Sequence, residues 1–480
     1  QLPVENRARR LDKVEYLIKG NLAKTYKLEY SHFNEEALSG VGDVPAYVSN
    51  WRKRLRLDEI KEIGYINGTD SSIPATTFTY NDMALPPRHS TKKDYWGYYN
   101  GTSESFLPRM YAYVPNELAF NNPSSGTIPL NDLMERYRSV YSVYKRNNTS
   151  QWSEFYFGDQ FGDRSPNETY TQAGVLEKIN YPTGGYTEFE YENNRFSDIG
   201  GYLGNGSWAD ILASGLRIKR IINSEGETKE YNYKIPTSGS GVELSSGKLL
   251  NMPTFARSSL ETEGCGFSLE PWNADVEENT MVFSESFLNQ SVSGSNIVGY
   301  QFVDEIITGY GLTRYHYSTD LAWGAYGQLQ SDETEYIECN GLDELVWEQP
   351  DVQHFSPPVF EDVYPFTPEN NYDWKRSAIK KVEYIPENST EPVSTIEYNY
   401  NVLCMERTPS IKAKVVHEPY AQGTLTAPHW SAGKYEFLSV DYRVESVMTE
   451  LDGVISNVDY EHDPNFNHHQ NISESIVNSD

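Results

Sequence analysis

Gly174-Val-Leu-Glu-Lys-Ile-Asn-Tyr-Pro-Thr-Gly-Gly-Tyr-Thr-Glu-Phe-Glu-Tyr191 is the stretch on which the fold turns. Val175 to Tyr181 is rich in β-branched and aromatic residues and reads as one arm of a β-hairpin. Pro182-Thr183-Gly184-Gly185 interrupts it. Proline donates no ladder hydrogen bond and the glycines take positive φ without steric cost, so the chain reverses here. The second arm alternates, with Thr187, Phe189 and Tyr191 on one face and Glu188 and Glu190 on the other. A period of two marks a strand with one buried and one wet face.

The same unit occurs seven times. Each first arm carries an aliphatic residue, two polar residues and a second aliphatic residue. Each second arm closes on an apolar residue, any residue, then tyrosine. The pairs are Leu11–Val14 with Leu28–Tyr30, Leu57–Ile60 with Phe78–Tyr80, and Leu176–Ile179 with Phe189–Tyr191. Further on come Ile218–Ile221 with Tyr231–Tyr233 and Val303–Ile306 with Tyr315–Tyr317. The last two are Ile379–Val382 with Tyr398–Tyr400 and Val444–Val447 with Val458–Tyr460. Turn signals separate the arms, among them Gly20-Asn21, Asn67-Gly68, Gly226, Gly309-Tyr-Gly311 and Asp452-Gly453. Aliphatic residues three apart also suit a helix, but these arms are too short and too rich in Val, Ile and Tyr. A lone hairpin is barely stable in water, so the repeat predicts an all-β fold, a degenerate array of stacked antiparallel β-hairpins sharing a core.

The stretch Ala173 to Tyr191 closely resembles a signature of large Rhs (YD-repeat) proteins of Gram-negative bacteria. Leu85-Pro-Pro-Arg88, Asp94-Tyr-Trp-Gly-Tyr-Tyr-Asn-Gly101, Val298-Gly-Tyr300, Trp374-Lys-Arg376, Lys380-Lys-Val-Glu-Tyr384 and Asn478-Ser-Asp480 resemble the same proteins in the same order. The resemblance runs from about Arg10 to Asp480. It implies a YD-repeat-like sheet that forms the curved wall of a hollow shell and continues into a core segment and a variable, often toxic, C-terminal domain. The Tyr-Asp dipeptide that names the repeat occurs here only at Tyr372-Asp373. The expected function is a structural scaffold segment of a large secreted or cell-surface protein, enclosing or displaying another part of the polypeptide. The expected partners are other segments of that polypeptide and cell-envelope or export proteins. The rival expectation is a surface binding module that contacts glycans or an envelope partner.

Composition agrees with a folded, wet β-surface: of 480 residues 38% are hydrophobic, yet 14% are aromatic, including 37 tyrosines. A tyrosine ring packs on a sheet while its hydroxyl stays in water. The formal net charge of -29 repels phosphate backbones and anionic lipid, so nucleic acid is not expected as a partner. No apolar run reaches the length of a membrane-spanning helix, and direct membrane insertion is not expected. The chain starts at Gln1 without a signal segment, which reads as a processed piece of a longer secreted polypeptide. Two parts are expected. Residues 1–170 hold two hairpin units and the aromatic insertion Leu85 to Pro108. Residues 171–480 hold five units and a Pro- and acid-rich insertion near 321–374.

Within the first part, Asn131 to Arg146 reads as one helix, although Ser-Val-Tyr-Ser-Val-Tyr also alternates as a strand. Gln151 to Gln172 reads as a linker and Leu260 to Asn279 as an irregular acidic segment.

No catalytic, cofactor-binding or metal-binding residues are predicted, and the chain is not expected to be an enzyme. Glu188 and Glu190 sit two apart, the spacing of a solvated strand face. His462, His468 and His469 lie near Asp463 without a local metal template and read as a polar turn. Cys265, Cys339 and Cys404 form no CxxC pair and leave the disulfide state open. Trp96, Tyr98 and Tyr99 are the residues a sugar would stack on. The reading preferred here is that they plug the sheet array.

Overall fold

The computed structural model describes residues 10–34, 53–66, 69–88, 90–102, 105–115, 140–142, 152–158, 162–197, 210–236, 244–249, 253, 255–262, 276–284, 297–318, 336–338, 346–348, 378–416, 429–462 and 471–478. The first strands are β1 (Lys13–Ile18), β2 (Asn21–His32), β3 (Leu55–Ile66), β4 (Thr69–Ser72), β5 (Thr76–Tyr80), β6 (Arg109–Pro115), β7 (Val140–Ser142) and β8 (Trp152–Gly158). Next come β9 (Leu176–Asn180), β10 (Tyr186–Phe196), β11 (Ile211–Asn223), β12 (Thr228–Asn232), β13 (Gly247–Leu249), β14 (Ala256–Thr262), β15 (Val276–Val282), β16 (Val298–Tyr300), β17 (Phe302–Ile307) and β18 (Gly311–Tyr317). The last are β19 (Tyr336–Glu338), β20 (Val346–Glu348), β21 (Ile379–Ile385), β22 (Ser394–Val416), β23 (His429–Leu451), β24 (Val454–His462) and β25 (Asn471–Asn478).

The fold is all-β, as the repeat predicts. One 16-stranded antiparallel sheet runs in the order β1-β2-β3-β5-β9-β10-β11-β12-β17-β18-β21-β22-β23-β24-β25, with β4 beside β3. All seven predicted units are hairpins in it: β1–β2, β3 with β4 and β5, β9–β10, β11–β12, β17–β18, β21–β22 and β23–β24. Each hairpin's second arm pairs with the next hairpin's first arm, so sheet order follows chain order. The sheet crosses the 170/171 division without a break, because β5 pairs with β9 at Thr77 and Asn180.

The turns explain why the chain reverses where it does. Lys19 and Gly20 have φ of 49° and 81°, and Asp452 and Gly453 have 51° and 81°. Both are two-residue loops with φ > 0 at both positions, the type I′ geometry that matches strand twist. The first turn is centred one residue earlier than the expected Gly20-Asn21, since Asn21 already pairs with Ile18.

The repeat's closing tyrosine has a specific task. The Tyr191 hydroxyl donates to the carbonyl of Leu176, the opening aliphatic residue of the same unit, at 2.7 Å. Tyr233 does the same to Ile218 at 2.7 Å, Tyr30 to Leu11 at 2.8 Å and Tyr400 to Ile379 at 3.0 Å. In the seventh unit His462 takes over, with Nε2 donating to the Val444 carbonyl at 2.9 Å. Each latch ties the end of a second arm to the start of its own first arm.

The expected contrast between a buried and a wet face is weaker than predicted. In β10 only Asn193 and Phe196 are buried, and Thr187 to Tyr191 are half-covered on both faces. The faces still differ chemically. Phe189 and Tyr191 rings lie 6.4 Å apart, and Tyr315 and Tyr317 stack at 6.3 Å. On the opposite face Glu190 pairs with Arg220 at 3.2 Å and Glu188 with Lys178 at 3.5 Å.

Three local expectations are corrected. Val140–Ser142, within the predicted helix, is strand β7 paired with β6; the alternating Ser-Val-Tyr pattern prevails, and the rest of that segment lies outside the described residues. The expected linker contains β8, which pairs with β6 along its whole length, because its aromatic residues suit a strand. The expected irregular segment opens and closes as strands β14 and β15, paired from Ala256 with Val282 to Thr262 with Val276. Of the insertion near 321–374, only β19 and β20 are described, and they pair with each other.

Candidate functional site: the aromatic insertion on the sheet

Among the described residues, two clusters of buried apolar side chains lie where the insertion meets the sheet. One cluster is Phe196, Ala213, Leu249 and Val298; the other is Tyr95, Met110 and Phe255. Trp96 packs against both. The insertion therefore joins the two clusters through one indole.

Asp94 builds the loop that presents Trp96. Its Oδ1 accepts the backbone N–H of Trp96 and of Tyr98, both at 3.0 Å. The Asp94 N–H donates to Tyr98 O at 2.7 Å, and Gly97 turns the chain with φ of 95°. A short polar side chain that caps its own turn is a common use of aspartate. Its second oxygen, Oδ2, accepts the hydroxyl of Ser214, which is fully buried in β11.

Ser214 reaches Asp94 because β11 bulges there. Asn193 pairs with Leu216 but Arg195 with Leu212, so β11 spends two extra residues on this stretch. Gly215 closes the bulge at φ of 76°, and a Cβ there would stand 3.0 Å from Asn194 Nδ2 and 3.4 Å from Tyr98 Oη. The Asn193 and Asn194 amides donate to the Ala213 and Ser214 carbonyls at 3.2 and 3.0 Å, satisfying groups that the broken ladder frees.

Asp94 is 1% exposed and makes no ion pair among the described residues. Burial pushes its carboxyl up to about 6, against the pull of the Ser214 hydroxyl and the Tyr98, Trp96 and Gly97 N–H groups. The Tyr98 hydroxyl is raised by burial and then by the Asp94 charge.

Two more buried groups fasten the insertion. Arg164 donates to Ser284 O at 2.5 Å and Phe106 O at 3.0 Å, and its guanidinium lies 5.6 Å from the Phe255 ring centre. The Asn100 amide donates to Ser165 O at 3.3 Å, and Gly101, with φ of 68°, lies flush against the Tyr170 ring. Tyr300 wedges in from β16, donating to Asn194 Oδ1 at 2.9 Å, with the Arg217 guanidinium 4.9 Å from its ring centre. Gly174 sits against Leu85 and Phe33 with φ of 73°. Four stretches noted in the sequence, at Leu85, Asp94, Gly174 and Val298, thus pack onto one region of the sheet.

The aromatic residues divide by role. Tyr95 is buried, Trp96 is packed and Tyr99 meets Tyr170 edge-on at 5.1 Å. Tyr98 is 42% exposed. Phe106, near the end of the insertion, is the other exposed ring, at 71%.

The second concentration of polar side chains is a ladder across β17, β18, β21 and β22. Arg314 grips Asp304 with two bonds of 2.7 and 2.9 Å. His316 Nε2 lies 2.7 Å from Glu383, Lys381 lies 3.1 Å from Glu383 and 3.4 Å from Glu397. Burial raises the Glu383 carboxyl, but its bonds to His316 and Lys381 outweigh that and hold it below the ordinary value. Every carboxylate in this ladder faces a base, which fixes strand register. Glu188 and Glu190 are engaged in the same way. No group of three His, Cys, Asp or Glu is placed to hold a metal ion among the described residues. His468, His469, Cys265 and Cys339 lie outside those residues, and among the described residues no helix is long and apolar enough to cross a membrane.

No protein-family model matches the chain, and no curated protein matches it. Sequence reasoning expected Trp96, Tyr98 and Tyr99 all to plug the sheet; Trp96 and Tyr99 are packed, whereas Tyr98 is exposed. It missed the Asp94–Ser214 contact, which spans 120 residues and depends on a bulge.

Proposed function

We propose that the chain is a structural scaffold segment of a large secreted or cell-surface Rhs-type protein. Its hairpins form a wall that encloses or displays another part of the same polypeptide, a toxic one in the family it resembles. The observation that carries this reading is that sheet order follows chain order through seven hairpins joined by the same junction. A sheet built this way grows by adding units without a change of rule, which is what a wall requires. Tyrosine latches close four of these units on themselves, and a histidine closes a fifth.

The test is limited proteolysis of the native, full-length polypeptide, followed by mass spectrometry. The scaffold reading predicts that the enclosed segment survives while the sheet is folded and is cut once denaturant opens it. Cleavage of that segment at the same rate in both states would overturn the reading. A surface binding module is the second reading, and the exposed Tyr98 ring supports it. Glycan binding that is lost in Tyr98→Ala, with the fold intact, would bring it forward.

A further inference from the structure

The first edge of the sheet has an unusual surface. Every residue of β1 is exposed. Leu11, Val14, Tyr16, Leu17 and Ile18 are 56%, 47%, 60%, 56% and 53% exposed. Among the described residues, β1 pairs with β2 on one side and with no strand on the other. Natural sheets protect such edges, because an apolar strand with open N–H and C=O groups pairs with another strand.

The open groups can be assigned. Leu28 N–H donates to Asp12 O at 2.9 Å, so Asp12 turns its backbone toward β2. Backbone direction alternates along a strand, which turns Val14, Tyr16 and Ile18 inward as well. Ile18 opposite Asn21 across the two-residue turn agrees with this. Lys13, Glu15 and Leu17 therefore turn their N–H and C=O groups to the open edge.

The side chains of that register are self-complementary. Leu11, Lys13, Glu15 and Leu17 share one face and read the same under a reversal that exchanges opposite charges. An antiparallel copy centred on Val14 sets Leu11 against Leu17′ and Lys13 against Glu15′, then repeats both contacts by symmetry (primes mark the second copy). Lys13 and Glu15′ are then a hydrogen-bonded pair that exchanges two backbone bonds, and Val14 meets Val14′ as the closer, non-hydrogen-bonded pair. Registers centred on Glu15 or Tyr16 instead set Glu15 against itself or Lys13 against Lys19. Lys13 and Glu15 already pair with each other within β1, at 58% and 40% side-chain exposure, so both are free to exchange partners without unfolding anything.

We propose that β1 is a self-association edge, at which a second copy of this chain adds antiparallel about a twofold axis through Val14. The two sheets then join into one. This goes beyond the scaffold reading and does not depend on it. A six-residue edge buries far less than the roughly 1,600 Å² of a standard stable interface, so the association is weak and concentration-dependent.

Sedimentation equilibrium of the chain over a wide concentration range, with charge variants, is the test. The wild type is expected to dimerise reversibly. Lys13→Glu and Glu15→Lys each place like charges across the axis and are expected to weaken dimerisation at least tenfold. An equimolar mixture of the two variants restores both ion pairs and is expected to dimerise again. Val14→Cys is expected to form an intermolecular disulfide under mild oxidation, because non-hydrogen-bonded partners stand about 4.5 Å apart at Cα. A chain that stays monomeric throughout, or single variants that dimerise like the wild type, would overturn the proposal.

Discussion

Trp96 and Asp94 carry the junction between insertion and sheet, and each makes its own prediction. Trp96 touches both core clusters, so Trp96→Ala should open a cavity shared between them. The expected cost is about 3 kcal/mol, read from the denaturant midpoint at unchanged slope. Asp94 has a carboxyl raised in the folded state from 3.8 to about 6. A group with a raised folded pKa contributes stability that is complete below its unfolded value and is lost as pH rises through the folded one. The window is therefore pH 4 to 6, and stability from this group falls by roughly 1–1.5 kcal/mol between pH 5 and pH 8. Many other carboxylates titrate too, so the measurement is the difference from Asp94→Asn, whose unfolding should lack this component. Equal pH dependence in both proteins would contradict the assignment. Sequence alone marked Trp96, Tyr98 and Tyr99 together as a plug, because an aromatic cluster bounded by prolines stands out; it did not separate packed Trp96 from exposed Tyr98. It did not identify Ser214 as the partner of Asp94, since nothing local distinguishes a serine whose strand bulges.

Among the elements, the hairpin is the repeating part, and its latch follows directly from the motif. The repeat made the closing tyrosine visible; the acceptor, a backbone carbonyl, leaves no trace in side-chain identity. Tyr191→Phe removes only the hydroxyl that bonds Leu176 O. It should cost about 1 kcal/mol, as a single net hydrogen bond does. Tyr233→Phe should cost the same, and the two effects should add if each hairpin closes on itself. Thermal unfolding of the single and double variants checks both statements. The bulge in β11 is less tolerant. Gly215→Ala sets a side chain at φ of 76° and against Asn194, and should cost about 1–2 kcal/mol while loosening the Trp96 loop. Turns were legible because Gly, Asn and Asp announce positive φ. The strands read as a helix and a linker were not, because β7 and β8 each find their partner β6 only across a long stretch of chain.

For the whole molecule, hairpin-to-hairpin junctions decide the architecture, and these were the least legible feature. β5 and β9 pair although some ninety residues separate them, and the aromatic insertion and β6 to β8 lie in the interval. Only the tertiary arrangement shows that the repeat resumes beside its predecessor. The half-covered faces follow from the same design: a wide sheet of tyrosines and ion pairs stabilises itself by cross-strand contacts more than by a deep core. Single-particle electron microscopy of the native full-length polypeptide, at a resolution that separates strands, tests the scaffold account most directly. The account predicts hairpins side by side in chain order, in one continuous wall that faces an enclosed volume. Hairpins divided among separate compact domains, with no enclosed volume, would contradict it.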